Sequence, residues 1–197
     1  IVRDKSGNVL KIVEHKDASS EEKSIKEINS GIYCFKIGEL LNSLKELNNN
    51  NAQGEYYLTD TLEIILKKGG KVGAVKISDP YEILGINDRV QLAKAGEVIR
   101  SRILEMHMRS GVTLIDPGSV YIDDGVKIGM DTIIYPGTYI EAGSEIGESC
   151  IIGPNSRIVR SSIGNGAEID NSVVIESTVG DNVHIGPFEY LKPGSAR

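Results

Sequence analysis

The residue types that most often carry metal or nucleophilic chemistry are few in this chain and do not cluster. The 197 residues include three histidines and two cysteines. Cys34 and Cys150 stand at hydrophobic positions in different halves and form no C-x-x-C motif, so we expect both to be reduced and buried. Of the histidines, only His184 lies in the repeat region described below, and His15 and His107 lack ligand spacing. The sequence therefore predicts neither a zinc site nor a disulfide scaffold.

Any functional residues in the first half must be positioned by alternating short strands and helices. Apolar runs bounded by polar turns favour strands, and apolar residues three or four apart favour helices. Gly69 and Gly70 are expected to end the second of two helices. The predicted strands are 1–3, 9–13, 30–35 and 71–77, and the predicted helices are 37–47 and 58–66.

A longer helix is predicted between the two halves of the chain. Apolar residues recur at spacings of three and four from Gln91 to Arg109, and Gly111 follows. The composition changes after this segment, because most of the 22 glycines come later. We therefore interpret 91–111 as a linker helix.

A six-residue period governs the sequence after Gly111. Isoleucine recurs in phase from Ile122 to Ile158, and a small or β-branched residue follows each isoleucine by four positions, as at Thr132. The series resumes at Ile163, Ile169 and Ile175 and again from Val179, so the phase breaks at 158–163 and 175–179. This period fits a parallel β-helix, with isoleucines stacked inside and small residues near the corners. The breaks are predicted to be bulges or shortened corners.

Charge and hydropathy exclude several classes of partner. The formal net charge is −6 and the sequence pI is about 5.2, which disfavours nucleic acid and anionic membranes as bulk partners. No apolar run is long enough to span a bilayer, and no signal peptide is recognisable. We expect a cytoplasmic protein. Because the chain opens on Ile1 without an initiator methionine, we also expect it to be part of something longer.

Five motifs resemble one bacterial enzyme family, in its order and at its spacing. They are IVEHKDA at 12–18, EINSG at 27–31, NNAQGEYYLTD at 50–60, GINDR at 85–89 and IGPF at 185–188. The family is the bifunctional N-acetylglucosamine-1-phosphate uridylyltransferase / glucosamine-1-phosphate N-acetyltransferase. The resemblance covers essentially the whole chain.

The resemblance implies a fold in three parts. Residues 1–90 would be the C-terminal portion of a Rossmann-like α/β nucleotidyltransferase (pyrophosphorylase) domain, and 91–111 the linker helix. Residues 112–197 would begin a left-handed parallel β-helix of hexapeptide repeats. The family packs these β-helices as trimers, so a homotrimer is expected.

The resemblance also implies two reactions. The β-helix would transfer an acetyl group from acetyl-CoA, as co-substrate, to glucosamine-1-phosphate. The α/β domain would join the product, N-acetylglucosamine-1-phosphate, to UTP with Mg²⁺, giving UDP-N-acetylglucosamine and pyrophosphate.

Four residues match family positions that bind substrate. Glu14 matches a sugar-binding glutamate, and Asn29 matches an asparagine that contacts the N-acetylglucosamine moiety. Asn87 matches an asparagine that ligates Mg²⁺ and contacts the nucleotide sugar. Lys192 stands where the family usually has an arginine that binds the sugar phosphate, and lysine keeps the charge without the planar fork.

No catalytic residue is expected within these residues. In the family, the Gly-rich nucleotide loop and a metal-binding aspartate precede the position of Ile1, and the acetyl-transfer histidine follows that of Arg197. We therefore expect the chain alone to be inactive in both reactions. Two alternatives stay open: a non-catalytic trimeric assembly module, and another sugar nucleotidyltransferase such as the ADP-glucose type.

Overall fold

The computed structural model describes residues 1–197, which divide into two compact units. The first comprises Ile1–Ile83 and the second Leu84–Arg197. No helix in either unit combines the length and apolar character needed to cross a bilayer.

The first unit is built on a β-hairpin and two helices. Strands β1 (Val2–Arg3) and β2 (Val9–Lys11) pair antiparallel across the predicted turn. Helices α1 (Ile37–Leu44) and α2 (Asp60–Lys67) contact each other, and α2 also contacts β2. One-turn 3-10 helices lie at Glu22–Ser24 and Pro80–Ile83. The buried apolar residues of this unit are Val9, Leu62 and Ile65.

Two glycines end α2 as predicted. Gly69 adopts a left-handed φ of +80°, which an L side chain rarely tolerates. The Gly70 amide then donates to the Ile65 carbonyl at 2.9 Å, a bond typical of a helix C-terminal cap. The backbone therefore turns away from the helix axis at this point.

Two predicted strands of the first unit are wrong. The segments 30–35 and 71–77 have no regular secondary structure, and Ile32 and Val75 are 78% and 94% exposed. A strand is stable only where a neighbour satisfies its backbone groups and covers its apolar face, and these segments have no such neighbour. The unit therefore shows a hairpin and helices, and a Rossmann-like sheet is not evident. Cys34 is exposed for the same reason, so the prediction that it is buried is also wrong.

Helix α3 (Arg89–Arg109) confirms the predicted long helix and belongs to the second unit. Its N-terminus is capped by the Asp88 side chain, which accepts a hydrogen bond from the Gln91 amide at 2.7 Å. Leu104 and His107 are buried near its C-terminal end. Leu104 joins the core of the repeat region, so the helix packs directly on that region.

The rest of the second unit is a three-sided parallel β-solenoid. Each side is a parallel sheet of two- or three-residue strands, and successive strands along the chain belong to different sides. The first side holds β3 (Thr113–Leu114), β6 (Ile133–Ile134), β9 (Ile151–Ile152), β12 (Glu168–Ile169) and β15 (His184–Ile185). The second holds β4 (Tyr121–Ile122), β7 (Tyr139–Ile140), β10 (Arg157–Val159), β13 (Val173–Ile175) and β16 (Tyr190–Leu191). The third holds β5 (Lys127–Ile128), β8 (Glu145–Ile146), β11 (Ser162–Ile163) and β14 (Thr178–Val179).

The predicted isoleucine ladder lies inside this solenoid. On the first side, Ile134, Ile152 and Ile169 are in register in successive coils, and each is 0% exposed. The preceding residue in each strand points outward, as Ile151 does at 38% exposure. Because side chains alternate along a strand, a two-residue strand places one residue in the core and one on the surface.

The phase breaks are shortened corners, and one ladder position differs from the prediction. Val174, at 0% exposure, is the inward residue of β13, whereas the predicted Ile175 is only partly buried. The corner between β12 and β13 has three residues, whereas the equivalent corner between β9 and β10 has four. The inward position in β13 therefore comes one residue earlier than the six-residue period predicts. Left-handed residues occupy the shortened corners, at Arg160, Asn171 and Glu176.

The small corner residues are buried as predicted, and several also form hydrogen bonds between coils. The Ser172 amide donates to Ser156 Oγ at 3.3 Å, and the Glu189 amide donates to Ser172 Oγ at 3.1 Å. On another corner the Ser177 amide donates to Ser161 Oγ at 3.1 Å. These hydroxyls satisfy backbone groups that the turning chain would otherwise bury unpaired.

Candidate functional site

Two of the sequence motifs meet in the first unit. Asp17, from the motif at 12–18, accepts hydrogen bonds from the Ala52 amide at 2.8 Å and from the Tyr57 hydroxyl at 3.3 Å. Lys16 Nζ donates to Gln53 Oε1 at 2.7 Å, and Gln53 Nε2 donates to the Tyr57 hydroxyl at 2.8 Å. The three bonds made by Lys16 and Asp17 join loops that are 35 to 40 residues apart in sequence. We call Lys16, Asp17, Gln53 and Tyr57 the loop-joining cluster.

Burial and neighbouring groups shift the pKa values of Tyr57 and the nearby Asp60. Burial raises the pKa of the Tyr57 phenol, the Gln53 hydrogen bond opposes the rise, and the Asp17 carboxylate adds to it. Burial also raises the pKa of Asp60, with smaller contributions from Glu63 and Asp17. The Tyr57 hydroxyl therefore stays protonated at neutral pH and acts as a hydrogen-bond donor to Asp17.

Glu14 lies on the turn that carries Asp17. Its carbonyl accepts a hydrogen bond from the Asp17 amide at 3.0 Å, so the loop-joining cluster also fixes the position of Glu14. The half-buried Glu14 side chain has no hydrogen-bond partner in the protein. It is therefore free to accept hydrogen bonds from a ligand.

Asn29 is engaged within its own loop. Its Nδ2 donates to the Tyr33 hydroxyl at 2.6 Å, and its Oδ1 accepts from the Gly31 amide at 3.1 Å. No hydrogen bond joins it to Glu14. A ligand at Asn29 would use the second proton of the amide or displace Tyr33.

Asn87 belongs to the second unit, just before α3. Asn87 is exposed, and its backbone N–H donates to Gln91 Oε1 at 2.6 Å. The convergence of Glu14, Asn29 and Asn87 on one cleft stays a prediction.

The residues of this chain do not form a magnesium site by themselves. Mg²⁺ requires a near-octahedral shell of oxygen ligands, commonly with one or two carboxylates. No group of three or more His, Cys, Asp or Glu side chains in the structure is placed to hold a metal ion. The neighbouring Asp88 carboxylate caps α3, so Asn87 has no free carboxylate beside it in sequence. Of the oxygen ligands that Mg²⁺ needs, these residues therefore offer only the side-chain amide oxygen of Asn87.

Lys192 is exposed at the corner that follows β16. Its carbonyl accepts hydrogen bonds from Ser177 Oγ at 3.0 Å and from Ser195 Oγ at 2.7 Å, which fix the corner and leave the ammonium in solvent. A polar groove of about 510 Å³ along the third side of the solenoid reaches Glu176 and Ser177 in the coil below. The groove contains ion pairs between coils, among them Lys127 with Glu145 at 2.6 Å.

The loop-joining cluster lies within two of the sequence motifs, but the sequence alone does not pair its members. Asp17 and Gln53 are ordinary polar loop residues in a single sequence, and Tyr57 is equally consistent with helix packing. Their pairing over more than 30 residues is a tertiary property. Only the shared polarity of the two motifs pointed to it.

The solenoid and its repeats define the class of protein. Residues 125–160 match the family described as bacterial transferase hexapeptide, six repeats. Together with the parallel three-sided coil, this match shows that the second unit is built from hexapeptide repeats similar to those of bacterial transferases.

Comparison over the whole chain is more specific. The chain is 63% identical over 195 residues to the bifunctional protein GlmU of Acetivibrio thermocellus. It is 60% identical over 195 residues to that of Caldanaerobacter subterraneus subsp. tengcongensis. Each alignment covers 99% of this chain and 42% of the relative, so the chain spans less than half the length of the curated relatives it matches. The chain is homologous to bacterial GlmU proteins over nearly all of its residues.

Solved structures similar to this chain include an acetyltransferase domain. The acetyltransferase domain of PglB from Neisseria gonorrhoeae FA1090, in complex with acetyl coenzyme A, aligns over 50% of this chain and 62% of that chain. The identity is 19% and the TM-score is 0.21, so this alignment carries no argument about function.

Proposed function

We propose that this chain serves as the corresponding part of a cytoplasmic GlmU-type enzyme that makes UDP-N-acetylglucosamine. Residues 1–90 contribute the sugar side of a uridylyltransferase domain that uses UTP and N-acetylglucosamine-1-phosphate. Residues 91–111 link this region to 112–197, the start of a left-handed β-helix that forms a homotrimer. The β-helix region takes part in transfer of acetyl from acetyl-CoA to glucosamine-1-phosphate.

The observation that carries this proposal is the 63% identity to a bifunctional GlmU over 99% of the chain. Identity at this level over both units favours the two GlmU-type reactions over the reaction of an ADP-glucose type enzyme. An enzyme of that type would share only the architecture. The free carboxylate of Glu14, on a turn fixed by the loop-joining cluster, supports the sugar site. A carboxylate can accept two hydroxyl hydrogen bonds at once, and such charge-assisted bonds are strong and directional.

Each proposed site residue has a binding role and no bond-breaking role. Glu14 accepts hydrogen bonds from the sugar hydroxyls, and Asn29 contacts the acetamido group. Lys192 neutralises the phosphate of glucosamine-1-phosphate. Mg²⁺, when bound in uridylyl transfer, would neutralise phosphate charge, and Asn87 would offer it one neutral oxygen. Because the other ligands are not among these residues, we derive no step through the metal.

A chimera tests the proposal. The 195 aligned residues of the Acetivibrio thermocellus relative are replaced by those of this chain, and both activities are measured. We expect the chimera to use UTP with N-acetylglucosamine-1-phosphate and acetyl-CoA with glucosamine-1-phosphate. A chimera that sediments as a trimer but lacks both activities would favour the assembly-module alternative. Activity with ATP and glucose-1-phosphate instead would favour the ADP-glucose type.

Two variants of the chimera, with a third as a control, test individual roles. We expect Glu14→Ala to raise the KM for N-acetylglucosamine-1-phosphate about tenfold or more, because a charge-assisted hydrogen bond is lost. Glu21→Ala, which removes an exposed carboxylate without a side-chain partner, is the matched control and should leave that KM unchanged. Lys192→Arg should lower the KM for glucosamine-1-phosphate about threefold through bidentate contact. Equal effects of the Glu14 and Glu21 changes would refute the sugar-binding role of Glu14.

A further inference from the structure

A groove lies between α3 and the first coil of the solenoid, with all its walls in the second unit. Its volume is about 540 Å³, within the range of small-molecule sites. Most of its walls are apolar, and the outermost part is acidic. The apolar lining is supplied by Ala93, Ile99 and Ile103 of α3 and by Tyr121 and Ile122 of β4.

Gly96 lines this groove without filling any of it. It lies in the interior of α3, where glycine weakens a helix relative to alanine. No left-handed φ requires a glycine there, and a Cβ at this position would meet no atom within 4 Å. Neither the backbone nor tight packing therefore accounts for Gly96. The absence of a side chain does leave space for a ligand beside Ile99.

The rim of the groove is acidic. Glu97, Asp123 and Asp124 line it, with Arg100 as the one cation. The Arg100 guanidinium lies 4.6 Å from the centroid of the Tyr121 ring, and it donates to the Gly118 carbonyl at 3.2 Å. Asp123 Oδ2 accepts a hydrogen bond from the Ala142 amide, but the Glu97 and Asp124 carboxylates have no hydrogen-bond partner in the protein. The charged groups of the rim that have no partner are therefore both negative.

We propose that this groove binds a small organic cation, namely a protonated amine that carries an aryl or short alkyl group. The apolar body lies against Ile99, Ile103 and the edge of the Tyr121 ring, whose faces are covered by Arg100 and Tyr139. The ammonium lies between Glu97 and Asp124. The acidic rim selects a cation over an anion of the same shape, because opposite charges attract and like charges repel. This site is separate from the residues of the proposed transferase function and does not depend on it.

The test uses the unmodified chain and simple probes. Phenethylamine, the neutral phenethyl alcohol and the anion hydrocinnamate are titrated separately, and backbone amide shifts are followed by NMR. We expect phenethylamine to give saturable shifts at the Gly96 and Asp124 amides with a Kd on the order of 1 mM. The alcohol should bind about threefold more weakly and the anion about tenfold more weakly.

Variants separate the groove from unspecific binding. Asp124→Asn should raise the Kd for phenethylamine about threefold, and Gly96→Leu should abolish the saturable shifts by filling the groove. Asp131→Asn, at a neighbouring corner outside the groove, is the matched control for charge. Gly38→Leu, in α1, is the matched control for a helical glycine, because a Cβ there also meets nothing within 4 Å.

Several results would overturn the proposal. They are the absence of saturable shifts, equal binding of hydrocinnamate, and a Kd that neither Asp124→Asn nor Gly96→Leu changes. If Gly96→Leu fails to fold, as judged by circular dichroism, the Asp124→Asn result decides alone. If Gly96→Leu alters the sedimentation of the chain while no amine binds, a second copy occupies the groove and the proposal is wrong.

Discussion

Replacing Ile152 by alanine tests whether the isoleucine ladder holds the solenoid together. Ile152 is 0% exposed and lies in register between Ile134 and Ile169. The change deletes three buried carbon atoms, which contributes about 2.5 kcal/mol of lost transfer free energy. A residual cavity of about 60 Å³ adds about 1.5 kcal/mol. We therefore expect a loss of about 4 kcal/mol in the free energy of unfolding.

The neighbouring residue provides the control. Ile151 has the same side chain in the same strand but faces outward at 38% exposure. Ile151→Ala should lower the free energy of unfolding by only about 1 kcal/mol, through strand propensity and partial burial. The difference between the two variants is therefore expected to be about 3 kcal/mol.

The assay is unfolding in guanidinium chloride, followed by far-UV circular dichroism. With an m value of about 3 kcal/mol/M, the midpoint for Ile152→Ala should lie about 1 M below that for Ile151→Ala. Equal midpoints, or a larger loss from Ile151→Ala, would show that the inward and outward assignments are incorrect.

Two further predictions concern Asp17 and His107. Asp17→Ala should speed hydrogen exchange at the Ala52 amide about threefold, because the amide loses its charged acceptor at 2.8 Å. Asp17→Asn keeps an acceptor oxygen and should keep most of the protection. Unchanged exchange in Asp17→Ala would contradict a role for Asp17 in joining the loops. Burial lowers the pKa of His107 below its usual 6.5, and its Nε2 has no hydrogen-bond partner. The folded protein therefore contains neutral His107, and the free energy of unfolding decreases as the pH falls below 6.5, where the unfolded chain binds a proton more readily. The pH dependence of thermal unfolding should weaken in His107→Leu and persist in His184→Leu, and an identical dependence in both variants would contradict this assignment.

Sequence periodicity predicted the solenoid well because its contacts repeat. Each inward residue meets its equivalent in the next coil, so a local rule of six residues encodes a long-range core. The rule failed at Ile175, where a shortened corner placed Val174 inside instead. Both residues are β-branched and apolar, so the sequence alone could not decide between them.

The first unit was harder to predict because its contacts do not repeat. The apolar segments around Ile32 and Val75 have strand-like composition, yet they lack neighbouring strands and remain exposed. Cys34 followed the same composition and was wrongly expected to be buried. Strand formation depends on partners that are distant in sequence, and composition carries no information about them.

The amino-acid sequence alone determined the helix α3, the hexapeptide coil and the resemblance on which the candidate substrate residues rest. These features depend on spacing along one chain, with capping by Asp88 and alternation within short strands. Tertiary structure alone decided that Asp17 joins the 12–18 motif to Ala52 and Tyr57, and that Gly96 lines a groove beside the first coil. The reason is physical: a hydrogen bond or a cavity between distant segments forms only when folding brings those segments together.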